Sequence, residues 1–149
     1  MKKDIKLYNV IFPVWFLMLF PQMWLIVLPG NFIIDSIVLV ISMIFLKIEE
    51  RKTFYKQSIL KIFIIGLVSD VIGALFLFLL MIAGAMSMGD ELYFTIPAMV
   101  ISAFFIYFLN YKITFKKLEL PLRKKMSLIF ALVTAPYTFL IQSSWVYNF

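Results

Sequence analysis

The placement of the positive charges constrains this chain more than any other feature of its sequence. Long apolar runs without a cation separate three clusters that together hold all 14 Lys and Arg residues. The clusters are Lys2, Lys3 and Lys6; Lys47, Arg51, Lys52, Lys56 and Lys61; and Lys112, Lys116, Lys117, Arg123, Lys124 and Lys125. If the apolar runs form five membrane spans, all three clusters lie on one side. Cytoplasmic loops are enriched in Lys and Arg, so that side is predicted to be the cytoplasm.

The composition indicates that lipid is the solvent of this chain. Hydrophobic residues make up 64% of its 149 residues, and its mean hydropathy is +1.01. Soluble domains are usually about 45–50% apolar, and a chain of this size could not hide the excess in its core. Five spans of about 20 residues leave only short loops. We therefore predict a single membrane domain over residues 1–149.

The predicted fold is an all-α integral membrane protein with five transmembrane helices. The spans cover about residues 7–28, 32–48, 59–85, 93–111 and 126–147. The N-terminus is predicted to lie in the cytoplasm and the C-terminus outside, in a multi-pass protein of a plasma or inner membrane.

Proline residues are predicted to interrupt the first and the fifth span. Pro13 and Pro21 fall in the first, which either crosses fully or is re-entrant, and Pro136 falls in the fifth. Each proline lacks the N–H group that a helix interior needs. The Pro-Gly-Asn triplet at residues 29–31 is a turn signal, so it is predicted to separate the first two spans.

The residue types that are missing exclude several classes of chemistry. The chain has no Cys and no His, which removes thiolate nucleophiles, imidazole bases and the usual zinc ligands. We expect no cofactor and no metal, and no enzymatic activity apart from one alternative given below. The net charge of +6 follows from the cytoplasmic loops, so the expected contact is with the lipid bilayer and not with nucleic acid.

Asp70 is the first candidate for a functional residue. It falls near the middle of the third span, where a carboxylate costs about 2.5–3.5 kcal/mol on insertion scales and no Lys or Arg lies at the same depth. Gly66 and Gly73 share its helical face, which predicts close packing against another helix. Asp70 is expected to be protonated, hydrogen-bonded, beside a wet cavity or bound to a cation. It is either a proton or cation site or a structural hydrogen-bonding group.

Asp35 is the second candidate, predicted to lie near the outer end of the second span. Asn31, Asp35 and Ser42 share one helical face that could line a cavity. The interpretation we favour is that Asp35 reaches the outer interface and that Asn31 caps the start of its helix. On this basis, Asp35 and Asp70 differ in depth by roughly 8 Å.

A polar stripe is predicted on the fifth span. Thr134, Thr138 and Gln142 follow one another in steps of four residues beside Pro136. Such stripes more often hydrogen-bond neighbouring helices than line a substrate path.

Three hypotheses for the function follow from these residues. The favoured one is an interaction, accessory or immunity-type subunit that binds another membrane protein or a second copy of itself. The small size, the minimal loops and the Gly66–Gly73 packing face support it. The alternative is a small channel or proton-coupled transporter that uses Asp70, with Asp35 nearer the exit.

The third hypothesis is an intramembrane aspartyl peptidase, because Asp35 and Asp70 fall on adjacent antiparallel helices. The Gly30-Asn31 pair before Asp35 is similar to the Gly-Asn-x-x-Asp element of lipoprotein signal peptidases. The spacing here is one residue longer and the rest of that pattern is missing, so no catalytic role is carried over. The predicted difference in depth also argues against this hypothesis.

Overall fold

The described part of the chain is helical throughout. The structure is a computed structural model that describes residues 20–85 and 91–141, and these two ranges contain no β-strand. The helices are α1 (Pro21–Phe45), α2 (Arg51–Ile82), α3 (Glu91–Leu109) and α4 (Leu120–Val133). A π-helical turn at Asn110–Thr114 extends α3, and a 3₁₀ turn at Tyr137–Leu140 follows α4. The all-α prediction is confirmed for these residues.

Three described segments are long and apolar enough to cross a membrane: Pro21–Phe45, Arg51–Ile82 and Leu92–Thr114. At about 1.5 Å per residue, each exceeds the roughly 30 Å of a bilayer's hydrocarbon core. Large apolar side chains stay exposed along them, such as Leu25 at 80% and Leu79 at 64%. Helices that carry apolar residues on their outer faces are compatible with insertion into lipid.

The predicted turn at residues 29–31 is wrong, because α1 runs through it as one continuous helix. Pro29 lies inside α1, and its missing N–H leaves the Leu25 carbonyl group without its usual helical donor. A turn would leave more backbone groups unpaired, and in an apolar solvent each unpaired group costs several kcal/mol. The unbroken helix therefore leaves the fewest such groups. Pro21 begins α1 instead of kinking a helix.

The other predicted bounds also shift. α2 begins at Arg51, ahead of the predicted 59–85 span, and the π-helical turn carries the fourth span on to Thr114. The predicted 126–147 span is not one α-helix, because α4 ends at Val133 and Pro136 precedes a 3₁₀ turn. Residues 142–147 of that span, and residues 7–19 of the first, lie outside the described residues.

Two of the three basic clusters lie at one end of the bundle, because the loops that carry them pack together. Ile48 from the loop after α1 joins a buried cluster with Phe115 from the loop after α3. The Phe54 ring at the start of α2 stacks on Phe115, with centroids 6.2 Å apart. We call this the basic end, meaning loops 46–50 and 115–119 with the adjoining helix ends. The cluster of Lys2, Lys3 and Lys6 lies outside the described residues.

α2 and α3 approach closely where Gly73 leaves space. A Cβ atom at Gly73 would overlap the Ser102 hydroxyl oxygen and lie 2.8 Å from Phe139 Cε2 and 3.1 Å from the Ala98 carbonyl oxygen. The Ser102 hydroxyl donates a hydrogen bond of 2.8 Å to the Ser69 carbonyl oxygen on α2. This contact makes α2 and α3 the central pair onto which α1 and α4 pack.

Replacing Gly73 by alanine is therefore expected to destabilise the fold. Overpacking usually lowers the free energy of unfolding by about 1–3 kcal/mol. Gly66→Ala is the matched control, because the nearest atom to its Cβ would be 3.6 Å away, an ordinary contact, and alanine favours a helix by about 0.8–1 kcal/mol. Denaturation in detergent micelles measures both. Equal destabilisation by the two substitutions would contradict the close contact at Gly73.

Pro29→Ala tests the continuity of α1. An alanine restores the hydrogen bond to the Leu25 carbonyl group, and proline in a helix interior costs about 3 kcal/mol relative to alanine. We expect the free energy of unfolding to rise, with helix content by circular dichroism unchanged or higher. A marked fall in stability would mean that Pro29 belongs to a turn.

Candidate functional site: two facing carboxyl groups

Asp35 lies in the middle of α1, and this corrects its predicted position. Its side chain is buried, with 4% exposed, so it does not reach an interface. Asn31 lies inside the same helix and cannot cap its start, because α1 begins at Pro21. The prediction failed because the supposed turn at residues 29–31 made Asp35 a residue of the first helical turn. The predicted depth difference of roughly 8 Å between Asp35 and Asp70 was derived from that position and therefore no longer follows.

The carboxyl group of Asp35 reaches α2 beside Gly66. Its Oδ2 atom lies 3.6 Å from the point where a Cβ on Gly66 would stand. Asp70 lies one helical turn further along α2, so its side chain is on the same side as Gly66. The two carboxyl groups are close enough to interact electrostatically. Gly66 thus leaves room for the Asp35 carboxyl group, about one helical turn (roughly 6 Å along α2) from Asp70.

The described residues supply no counter-charge for this pair. Asp70 Oδ1 is buried and has no hydrogen-bond partner among them. None of the described Lys and Arg side chains is buried, and all but Lys61 belong to the basic end. Ionised carboxylates in apolar surroundings are costly unless paired, so the two groups are suited to bind a proton or a cation.

A small cavity opens beside Asp70. It has a volume of about 40 Å³ and is lined by Trp24, Val27, Leu28, Leu67, Asp70, Val71 and Ala74. Asp70 is the only acidic side chain among these residues. A water molecule needs roughly 10–15 Å³ of such space, so the cavity has room for about three. Trp24 and Val71 are partly exposed at its edge, at 44% and 37%.

The side of the pair nearer the basic end is tightly packed. One turn beyond Asp35 on α1, Leu39 is fully buried, and one turn before Gly66 on α2, Ile62 is 1% exposed. Both belong to the apolar cluster that includes Phe115 and Phe130. The described helices therefore leave the carboxyl pair open on the cavity side and close it towards the basic end.

The remaining predicted residues lie in several places. Asn31 is partly buried and Ser42 is buried, both on the inward face of α1. Gly73 faces α3 and not the carboxyl pair. The Thr134 hydroxyl donates to the Phe130 carbonyl oxygen of its own helix, at 2.8 Å. Thr138 lies on the 3₁₀ turn, so the predicted stripe is not one helical face, and Gln142 is outside the described residues.

Two hydroxyl contacts near the pair were not predicted. Ser69, the neighbour of Asp70, is fully buried and donates to the Ile65 carbonyl oxygen at 2.7 Å. The Tyr55 hydroxyl donates to Ser36 Oγ at 2.9 Å, next to Asp35. A serine beside an acid in an apolar run is the signal that could have identified Ser69. The Tyr55–Ser36 bond joins residues 19 positions apart and leaves no local pattern.

Comparisons with known proteins identify no relative of this chain. No family model, no curated protein and no solved structure matches it.

Asp70→Asn is expected to leave the fold intact. Asparagine is close to isosteric with aspartate and removes an ionisable group that has no counter-charge in the described structure. The free energy of unfolding is expected to stay equal or to rise by up to about 2 kcal/mol. Glu119→Gln, at an exposed position of the basic end, is the control and should change nothing. A loss of stability in Asp70→Asn alone would show that the acid holds an interaction essential to the fold.

Proposed function

We propose that this chain is a multi-pass membrane protein in which Asp35 and Asp70 form one intramembrane site for a proton or a small cation. The observation that carries the proposal is the Asp35 carboxyl group at Gly66, one turn from Asp70, with no buried cation among the described residues. Acids inside membrane helices are rare and costly, and ion and proton pathways are among the functions that they mark. The function would be that of a small channel or a proton-coupled transporter.

For the topology, we propose a plasma or inner membrane with the basic end in the cytoplasm. The α1–α2 and α3–α4 loops would then be cytoplasmic, and the cavity beside Asp70 would belong to the outer half of the bundle. The described chain has three helices long and apolar enough to cross, and α1 is one helix where a turn between the first two spans was predicted; five crossings, with a cytoplasmic N-terminus and an outer C-terminus, therefore stay a proposal. Both termini fall outside the described residues.

A second candidate function is an accessory subunit that binds another membrane protein or a second copy of this chain. The packed cluster of Leu39, Ile62, Phe115 and Phe130 favours it, because a single copy of the described bundle offers no path past the carboxyl pair. A partner would complete that path or would respond to the charge of the pair. The partner class is a polytopic membrane protein with apolar helix faces.

The aspartyl peptidase hypothesis is not proposed further. The facing acids meet its first requirement, but a cavity of about 40 Å³ has no room for a peptide segment. Ligand sites in proteins typically measure about 300–1,000 Å³.

Flux through purified protein in liposomes tests the proposal. With a potassium diffusion potential and an internal pH dye, the wild-type chain is expected to take up protons. Asp70→Asn should reduce that uptake at least about tenfold, since asparagine does not exchange a proton at neutral pH. Asp35→Asn should reduce it as well, and Glu119→Gln should not.

Equal flux in the wild type and in Asp70→Asn would contradict the proposed site. If no Asp70-dependent flux of protons or of Na⁺ is found, that result favours the accessory-subunit function over the channel or transporter function. A stoichiometric second protein that purifies with the chain in mild detergent would then support that function.

A further inference from the structure

We infer that the cavity between α1 and α2 is a water-filled half-channel that delivers protons, and not metal ions, to the carboxyl pair from the side opposite the basic end. This inference rests on the proposed function and adds two properties to it: the identity of the cation and the side from which it enters.

The composition of the cavity wall argues against a divalent metal ion. Ca²⁺ takes about six to eight oxygen ligands, and Mg²⁺ needs six in near-ideal octahedral geometry. Asp70 is the only lining residue with side-chain oxygen atoms. Among the described residues, no group of three or more acidic, His or Cys side chains could hold a metal. A proton needs only one carboxyl oxygen, and Asp70, which lines the cavity, provides it.

The size of the cavity fits water as the carrier. With room for about three water molecules in 40 Å³, it can hold a short chain of hydrogen-bonded waters that ends at Asp70. A hydronium ion at that end gives its proton to the carboxylate and leaves behind a neutral water molecule. The carboxylate becomes a carboxylic acid, and the negative charge at the pair falls by one.

The titratable groups around the pair are few. Asp35 on α1 is the group whose charge acts on Asp70. The Tyr55 hydroxyl is engaged with Ser36, and Lys61 on α2 is exposed. α3 and the 3₁₀ turn after α4 bring Ser102, Ala98 and Phe139 to α2 at Gly73, one turn beyond Asp70, and none of these titrates. Protonation of the site is thus a property of the two acids.

The direction of entry follows from the packing. Trp24, Val27 and Leu28 lie in the half of α1 that is farther from the basic end, and Val71 and Ala74 lie in the corresponding half of α2. Leu39 and Ile62 close the other side of the pair. Among the described helices, the cavity is therefore the open side of Asp70.

The absence of Cys allows a direct test, since any introduced thiol is unique. Val71→Cys lines the cavity, whereas Leu75→Cys lies one turn further on α2, at 47% exposure, outside the cavity. Ag⁺, which reacts with accessible thiols, is added to right-side-out and to inside-out vesicles. After denaturation, a maleimide labels the thiols that Ag⁺ has not reached, and the labelled fraction gives the extent of reaction from each side. Lys117→Cys, exposed at the basic end, marks the sides with an impermeant maleimide.

We expect Val71→Cys to react at least about tenfold faster than Leu75→Cys, because the reactive thiolate forms in water and not in hydrocarbon. It should react from the side opposite to Lys117→Cys. Equal rates at positions 71 and 75, or reaction from the Lys117 side, would overturn the half-channel.

The liposome assay separates this inference from the proposed function. Asp70-dependent Na⁺ flux without proton flux would overturn the proton assignment and leave the carboxyl pair as a cation site. The absence of any Asp70-dependent flux would remove the proposed function itself, and with it the role of the cavity as a delivery path, even if Val71→Cys is accessible.

Discussion

The continuity of α1 through Pro29 decides where the polar residues of the first helix lie. Because the helix is unbroken from Pro21 to Phe45, Asp35 falls at its centre and meets α2 at Gly66. A break at residues 29–31 would place Asp35 in a first helical turn, where water and the helix dipole would stabilise its charge. The same residue would then have no reason to face Asp70. The carboxyl pair, the cavity beside it and the packed cluster below it all depend on this register.

The two halves of the bundle differ in their packing. Towards the basic end, Leu39, Ile62, Phe115 and Phe130 form a tightly packed cluster that contacts all four helices. In the other half, α1 and α2 separate enough to leave a cavity, while Gly73 holds α2 against α3. A rigid base with an opening on one side can present a titratable pair to one compartment. This asymmetry links the proton-site proposal to the accessory one, since a partner can respond to the charge state of the pair.

The features that could be predicted from the sequence depend on composition and short-range spacing. The apolar runs indicated helices in a membrane, and Asp70 stood out because no cation lies at its depth. The break at Pro136 follows from the chemistry of proline in the same way. Spacing predicted one packing face through Gly66 and Gly73, but the two residues meet different helices, α1 and α3.

The remaining features depend on a balance that local patterns do not contain. A Pro-Gly-Asn triplet favours a turn in water, but the cost of unpaired backbone groups in an apolar solvent keeps it helical here. The wrong predicted position of Asp35 follows from the predicted turn at residues 29–31 alone. The end of α4 at Val133 and the Tyr55–Ser36 hydrogen bond come from tertiary packing, which single-sequence spacing does not report.

The contact between Asp35 and α2 at Gly66 is the central claim, and disulfide formation tests it most directly. In this cysteine-free chain, Asp35→Cys is combined with Gly66→Cys, and Ile41→Cys, at 60% exposure, with Gly66→Cys as the control pair. Disulfides need Cβ atoms about 3.8 Å apart; Asp35 Oδ2, two bonds beyond its Cβ, lies 3.6 Å from the Gly66 Cβ position, so the two Cβ atoms are at most about 6 Å apart and small helix motions can bring them together. The account predicts a bond on mild oxidation in native membranes for the 35–66 pair and none for the 41–66 pair. No bond at 35–66, or equal bonding in both pairs, would contradict it.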